Sequence, residues 1–75
     1  MQTHEQKSIP ATLIPGDGIG PEISAAVVEI LDALGAPFVW ETHQGGMAAV
    51  KESGDPLPDA LLESIRRTRL ALKGP

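Results

Sequence analysis

Cysteine is absent from this sequence of 75 residues, and the aromatic side chains are limited to Phe38 and Trp40. The lack of cysteine excludes disulfide bonds, thiolate metal sites and cysteine nucleophiles. Basic residues are also few, since six lysines and arginines stand against ten acidic residues and give a net charge of −4. This balance argues against nonspecific binding to nucleic-acid phosphates, which needs clustered positive charge. We therefore expect no nucleic-acid partner.

No apolar run in the sequence is long enough to cross a membrane, so we expect no membrane partner. Residues 1–8 are polar, with neither the apolar core of a signal peptide nor the arginine-rich character of a transit peptide. The expected location is therefore the cytoplasm. Residues 1–10 are predicted to form a flexible lead-in, and residues 11–75 are predicted to form the folded part.

Short apolar runs alternate with helical patterns along the rest of the sequence. The apolar positions from Ile23 to Leu34 repeat at the period of one helix face, and Gly35 is the expected left-handed stop. The predicted strands are Thr12–Ile14, Phe38–Thr42 and Leu70–Leu72. The predicted helices are Pro21–Leu34 and Pro58–Thr68, with one or two helical turns in Met47–Glu52. Pro10 cannot donate a hydrogen bond to a sheet, so the first strand is expected to begin at or after it.

This order of elements predicts the fold class. Strands that alternate with amphipathic helices imply right-handed crossovers and a parallel sheet. The prediction is an α/β fold built as a parallel βαβαβ unit. In such open sheets the binding crevice lies beyond the carboxyl ends of the strands, and a site is expected at that edge.

A glycine-rich turn, Gly16-Asp17-Gly18-Ile19-Gly20, joins the first strand to the first helix. A turn of this kind can cradle an anion with its free amides. Its third glycine comes one residue too early for the dinucleotide fingerprint G-x-G-x-x-G. Glu41 lies about 20 residues further on, where a ribose-binding acid is expected, but the Asp17 carboxylate would repel a pyrophosphate. A tight turn without ligand contact is favoured over an ordinary dinucleotide fingerprint, and both interpretations stay open at this point.

The residues from Leu13 to Glu22 read Leu-Ile-Pro-Gly-Asp-Gly-Ile-Gly-Pro-Glu. This stretch resembles the N-terminal signature of the β-decarboxylating dehydrogenases, which include isocitrate, isopropylmalate, homoisocitrate and tartrate dehydrogenases. The resemblance continues through Gly54–Pro58, Leu61–Arg66 and Ala71–Pro75. The Leu-Lys-Gly-Pro ending is similar to the isocitrate branch, especially its NAD-dependent members, whereas the isopropylmalate and homoisocitrate branches usually continue into a Gly-Ala segment.

The resemblance implies a fold, an activity and three site residues. The fold would be the N-terminal fragment of the isocitrate/isopropylmalate dehydrogenase-like fold. The full-length enzyme would oxidatively decarboxylate isocitrate to 2-oxoglutarate with NAD and Mg²⁺ or Mn²⁺. Gly18 and Ile19 would line the cofactor pocket, with Gly16 as a turn glycine. Lys73 would stand where the chain enters the active cleft, just before residues that contact substrate and cofactor.

The resemblance also implies that the catalytic machinery lies elsewhere. The substrate arginines, the catalytic tyrosine and lysine, and the metal-binding aspartates of the family are all downstream of the matched residues. No catalytic and no metal-binding residue is therefore assigned to this chain. The 75 residues alone are expected to be inactive and to bind neither NAD nor metal.

A second hypothesis needs no catalysis. The chain could be an isolated α/β module that self-associates or binds a partner. Cores of this size rarely supply more than about 3–5 kcal/mol without a disulfide, a metal or a partner, and a three-stranded sheet has two open edges. We therefore expect a homo-oligomer. The remaining polar candidates, His43, the pair Asp55 and Asp59, and the arginines near Arg67, are expected to be solvated surface, turn or helix-end residues.

Overall fold

A computed structural model describes residues 8–75 of the chain. The strands are β1 (Ile9–Ile14), β2 (Phe38–Thr42) and β3 (Ala71–Lys73). The helices are α1 (Gly20–Ala33), α2 (Met47–Ser53) and α3 (Asp59–Thr68). The strands form one sheet in the order β2-β1-β3, and both pairs are parallel, which confirms the predicted α/β class and βαβαβ unit. Residues 1–7 of the predicted lead-in lie outside the described residues.

The first strand begins at Ile9, three residues before the predicted start at Thr12, and it includes Pro10, although it was expected to begin at or after that residue. The N–H of Ile9 donates to the Pro37 carbonyl at 2.8 Å, on the β2 side of the strand. Because backbone groups alternate in direction along a strand, the nitrogen of Pro10 points to the β3 side. On that side β3 first pairs at Thr12, so the missing donor of Pro10 breaks no hydrogen bond of the sheet.

The third strand lies one residue later than predicted because α3 ends in a left-handed residue. Arg69 has φ +61°, and its N–H donates to the Ile65 carbonyl at 2.7 Å. The chain then turns into the sheet at Leu70, whose carbonyl accepts from the Thr12 N–H at 2.8 Å. Leu70 thus contributes a hydrogen bond to the sheet before the ladder of β3 begins at Ala71.

One side of the central strand packs against α3 through polar as well as apolar side chains. Leu61 is 2% exposed, and Thr12 and Ser64 are completely buried. The Thr12 hydroxyl lies 2.7 Å from the Ser64 hydroxyl and 2.8 Å from the Thr68 hydroxyl. Buried hydroxyls without partners would be costly, and here each hydroxyl satisfies another. This cluster fixes the position of α3 over β1.

The helix α1 leaves much of its predicted apolar face uncovered. Its buried residues are Gly20 and Ser24, whereas Ile30 and Leu34 are 59% and 77% exposed. Beside the helix is an apolar groove of about 230 Å³. Its lining residues are Leu31, Phe38, Trp40, Leu70, Ala71 and Leu72. None of the helices within residues 8–75 combines the length and apolar character needed to span a bilayer.

Candidate functional site

The glycine turn lies at the carboxyl end of β1, directly against the residues that follow β3. The N–H of Gly74 donates to the Ile14 carbonyl at 2.8 Å, and the N–H of Asp17 donates to the Pro75 carbonyl at 2.8 Å. The buried Ser24 of α1 adds a hydrogen bond from its hydroxyl to the Pro15 carbonyl at 3.0 Å. The turn, the first helix and the end of the third strand therefore form one rigid corner of the molecule.

Three glycines allow the backbone segments of this corner to approach one another. A Cβ atom on Gly16 would lie 2.2 Å from the Pro75 carbonyl oxygen. A Cβ on Gly20 would lie 2.5 Å from the Pro15 oxygen, and one on Gly74 would lie 2.0 Å from the same atom. Real Cβ atoms do not come this close to backbone oxygens. Close packing against backbone atoms thus accounts for two of the three glycines of the turn, Gly16 and Gly20.

The Asp17 side chain contacts the start of the neighbouring helix α2. Its carboxylate accepts hydrogen bonds from the backbone N–H groups of Met47, at 3.1 Å, and Ala48, at 3.0 Å. These are first-turn amides of α2, whose N-cap residue Gly46 provides no side-chain hydrogen bond. The carboxylate was expected to repel a pyrophosphate from the turn. Both of its oxygens also satisfy the N-terminus of a neighbouring helix, and its effect on a pyrophosphate stays a prediction.

A crevice of about 670 Å³ opens between the turn and α2. One wall consists of residues 15–18 and Pro21, and the other consists of Gln44, Met47, Ala48 and Lys51. The volume falls within the range of about 300–1,000 Å³ that is typical of small-molecule sites. The crevice lies beyond the carboxyl end of β1, where open α/β sheets bind their ligands. Its lining combines backbone, apolar side chains, the Gln44 amide, the Lys51 ammonium group and the Asp17 carboxylate.

The three residues predicted to bind the cofactor lie in different surroundings. Gly18 lines the crevice, has φ +58° and has open space where a Cβ would stand. Ile19, the N-cap of α1, is 63% exposed and is not a lining residue. Lys73 is the last residue of β3, and its Nζ donates to the Gly74 carbonyl at 2.9 Å. The turn thus brings Gly18 and Ile19 together, and the cofactor roles of all three residues remain predictions.

Sequence reasoning missed the second wall of the crevice, formed by residues 44–51. In the sequence, the Gly45-Gly46 pair indicates only a break after the second strand. Gly46 has φ +69° and ψ −140°, a conformation that is essentially restricted to glycine. A glycine at this position was therefore the one local sign in the sequence that a helix begins directly after it, close to another part of the chain.

Glu41 does not lie in the crevice. Its carboxylate forms a two-pronged ion pair with the Arg67 guanidinium, at 2.6 and 2.8 Å, and accepts a hydrogen bond from the Ser64 hydroxyl at 3.1 Å. The position expected for a ribose-binding acid is thus occupied by a structural ion pair. The partner of Glu41 in this ion pair is Arg67, which was expected to be a solvated residue at a helix end.

The ion pair changes the pKa of both partners. The hydrogen bonds from Arg67 lower the pKa of the Glu41 carboxyl; burial partly opposes this, and the Ser64 hydroxyl adds to the lowering. In return, the hydrogen bonds to Glu41 raise the pKa of Arg67. A carboxyl whose pKa is lowered by folding stabilises the protein above its unfolded-state pKa, and that stabilisation is lost as the pH falls through the folded-state value.

This coupling predicts an acid-sensitive contribution to stability. Lowering the pH from about 6 to about 3, across the unfolded glutamate pKa of about 4.3, should destabilise the unmodified chain more than a Glu41→Gln variant. The other carboxylates are common to both proteins and cancel in the comparison. Urea unfolding followed by circular dichroism at several pH values measures the difference. Equal acid losses in the two proteins would contradict the assignment.

Within residues 8–75, no three histidine, aspartate or glutamate side chains lie close enough together to hold a metal ion. Asp55, which was paired with Asp59 in the sequence analysis, accepts a hydrogen bond from the Leu57 N–H at 2.9 Å. Its carboxylate therefore stabilises the turn in which it lies. The candidate site within the described residues is therefore the crevice.

The fold is that of an open α/β protein with a crevice beyond the carboxyl end of its central strand. The family model described as isocitrate/isopropylmalate dehydrogenase matches residues 10–75, and the chain belongs to that family. This confirms the resemblance seen in the sequence.

Individual relatives agree with the family match. The mitochondrial alpha subunit of NAD isocitrate dehydrogenase from Bos taurus is 50% identical over 66 residues, with 85% of this chain and 18% of that protein covered. NADP isocitrate dehydrogenase from Thermus thermophilus is 43% identical over 65 residues, with 85% of this chain and 13% of that protein covered. The crystal structure of isocitrate dehydrogenase from Methylococcus capsulatus superposes with a TM-score of 0.86 at 55% identity. The superposition covers 88% of this chain and 20% of that chain. The chain thus spans no more than a fifth of these relatives' length.

Proposed function

We propose that this chain forms the N-terminal part of an isocitrate dehydrogenase that converts isocitrate to 2-oxoglutarate with NAD and Mg²⁺ or Mn²⁺. The observation that carries the proposal is the crevice between the glycine turn and α2, since it lies within the residues that match the family. Its volume and mixed lining suit part of a nicotinamide cofactor.

In this proposal the chain's own residues bind and orient the cofactor. Gly18 has no side chain, so a ligand can approach the turn backbone closely. Ile19 offers an exposed apolar surface beside the turn, and Lys73 supplies a positive charge at the end of β3. The cofactor, when bound, accepts a hydride from the alcohol carbon of the substrate. The metal would be held by other residues of the enzyme, because residues 8–75 contain no ligand set for it.

NAD is favoured over NADP by the Leu-Lys-Gly-Pro segment and by the relatives whose names specify NAD, among them the subunits from Bos taurus and Homo sapiens. The relative from Thermus thermophilus is named for NADP. Isocitrate-dependent reduction of NAD and of NADP should therefore be measured side by side in every activity assay of this proposal.

The proposal is tested with a hybrid enzyme in which residues 10–75 of this chain replace the matching segment of the Methylococcus capsulatus isocitrate dehydrogenase. The hybrid is expected to reduce the cofactor with isocitrate and Mg²⁺, at a rate within about ten-fold of the parent enzyme, a loss of about 1.4 kcal/mol. The 75-residue chain alone is expected to show no turnover above a buffer blank. A folded hybrid without activity, or turnover by the chain alone, would contradict the proposal.

A second candidate function is association without catalysis. It is favoured by the apolar side chains that α1 leaves exposed, including Ile30 and Leu34, and by the two outer strands β2 and β3. The partner proposed for these surfaces is a second copy of the same chain, because identical edge strands can pair with one another.

A further inference from the structure

The side chain of Asp17 joins the two walls of the crevice. Its Oδ2 accepts from the Met47 N–H at 3.1 Å, and its Oδ1 accepts from the Ala48 N–H at 3.0 Å. Its own backbone N–H donates to the Pro75 carbonyl at 2.8 Å. One residue therefore ties the glycine turn both to the start of α2 and to the segment after β3.

The helix α2 depends on this contact because it has few other anchors. It is seven residues long, which is too short for a helix to be stable by itself. On its other side it is held by the buried Ala49 and by a hydrogen bond from the Gly46 N–H to the Pro56 carbonyl at 2.9 Å. On the crevice side, Asp17 is the one residue among 8–75 whose side chain bonds the first-turn amides of α2. The Asp17 carboxylate therefore sets the distance between α2 and the turn.

Because Gly46 has no side chain, it leaves room for the Asp17 carboxylate. A Cβ atom on Gly46 would lie 2.7 Å from Asp17 Oδ2. The backbone there has φ +69°, so a residue with a side chain would be strained as well as crowded. The carboxylate and the glycine thus form a matched pair at the start of α2.

We propose that Asp17 is a positioning residue for cofactor binding, which holds Met47, Ala48 and Lys51 of the α2 wall at a fixed distance from the glycine turn. This inference rests on the proposed function, in which the crevice receives part of the nicotinamide cofactor. Asp17 acts through α2 and not on the reacting atoms. Its loss therefore weakens cofactor binding and leaves the chemical step unchanged.

The test measures two properties of the hybrid enzyme. In Asp17→Ala, amide hydrogen exchange at Met47 and Ala48 should become about five-fold faster or more, which corresponds to the ~1 kcal/mol typical of a helix cap. The KM for the cofactor should rise by about the same five-fold factor, while kcat and the KM for isocitrate should change less than about two-fold. Asp17→Asn retains one acceptor oxygen and should recover part of both properties.

Two further variants separate positioning from charge. Gly46→Ala should displace the carboxylate without removing its charge, and it should reproduce the effects of Asp17→Ala. Asp59→Asn removes the same charge from the first turn of α3, outside the crevice, and should change neither property. Unchanged exchange at Met47 and Ala48 in Asp17→Ala, or a loss of kcat at constant cofactor KM, would overturn the proposal.

Failure of the proposed function can be distinguished from failure of this inference. An inactive hybrid would refute the function, but amide exchange needs no turnover and would still decide whether Asp17 holds α2. Faster exchange at Met47 and Ala48 in an inactive hybrid would support the positioning role. Unchanged exchange there would refute it.

Discussion

A Gly20→Ala variant of this chain is expected to lose about 2–3 kcal/mol of stability, as overpacked sites typically do. Helix propensity alone predicts the opposite sign, because alanine stabilises a helix by about 1 kcal/mol relative to glycine. The new Cβ would lie 2.5 Å from the Pro15 carbonyl oxygen and 2.7 Å from the Pro75 carbonyl oxygen. Both obstacles are backbone atoms, so the turn cannot yield by a simple side-chain rotation.

The matched control is Gly18→Ala, two residues away in the same turn. Gly18 has φ +58° but nothing within 4 Å of its Cβ position, so alanine there should cost only about 1–2 kcal/mol of left-handed strain. Urea unfolding at one fixed protein concentration, followed by circular dichroism, measures both variants. A Gly20→Ala protein as stable as the unmodified chain would show that the corner is looser than the structure indicates.

The second large effect is expected in sedimentation velocity, where the 75-residue chain should form dimers or larger species at low micromolar concentration. Its sheet has three strands, and the outer sides of β2 and β3 have no partner strand among residues 8–75. Large apolar side chains such as Leu34 and Val39 are 77% and 52% exposed. Covering such side chains contributes about 25 cal/mol per Å² of apolar area, which a net charge of −4 opposes only weakly in salt.

Two lysine substitutions identify the surface through which the chain associates with itself. Val39→Lys places a charge on the edge strand β2 and should shift the chain toward the monomer, because edge lysines oppose strand pairing. Ala60→Lys adds the same charge to an exposed position of α3, outside the surfaces proposed for association, and should leave the association unchanged. A monodisperse monomer with strongly protected strand amides would contradict the expectation of self-association.

Features with a local cause were predicted from the sequence. The 3.6-residue apolar period located α1 within a residue at each end, and the helical turns predicted for Met47–Glu52 lie within the observed α2. Phe38–Thr42 was predicted with its observed bounds, since its β-branched and aromatic residues stand between Pro37 and polar residues. The parallel order then followed from the alternation of strands and helices.

Features that depend on distant pairs of residues were not predictable in this way. The sequence places Asp17 far from Met47, and Glu41 far from Arg67, and no local rule joins them. Glu41 illustrates the difficulty, because its position after β2 suits either a ribose or an arginine, and only the packing of α3 decides between them. The crevice was anticipated at the correct sheet edge, but its second wall depends on such a long-range contact.

The strand order has a consequence for synthesis of the chain. β1 is the central strand, and it pairs with β2 on one side and β3 on the other. It leaves the ribosome first, yet its second neighbour ends only at Lys73. At about 5–20 residues per second, the backbone groups of β1 that face β3 wait several seconds for their hydrogen-bond partners. The parallel crossovers, and not the strand's own sequence, thus set how long the nascent chain must be kept from pairing with other chains.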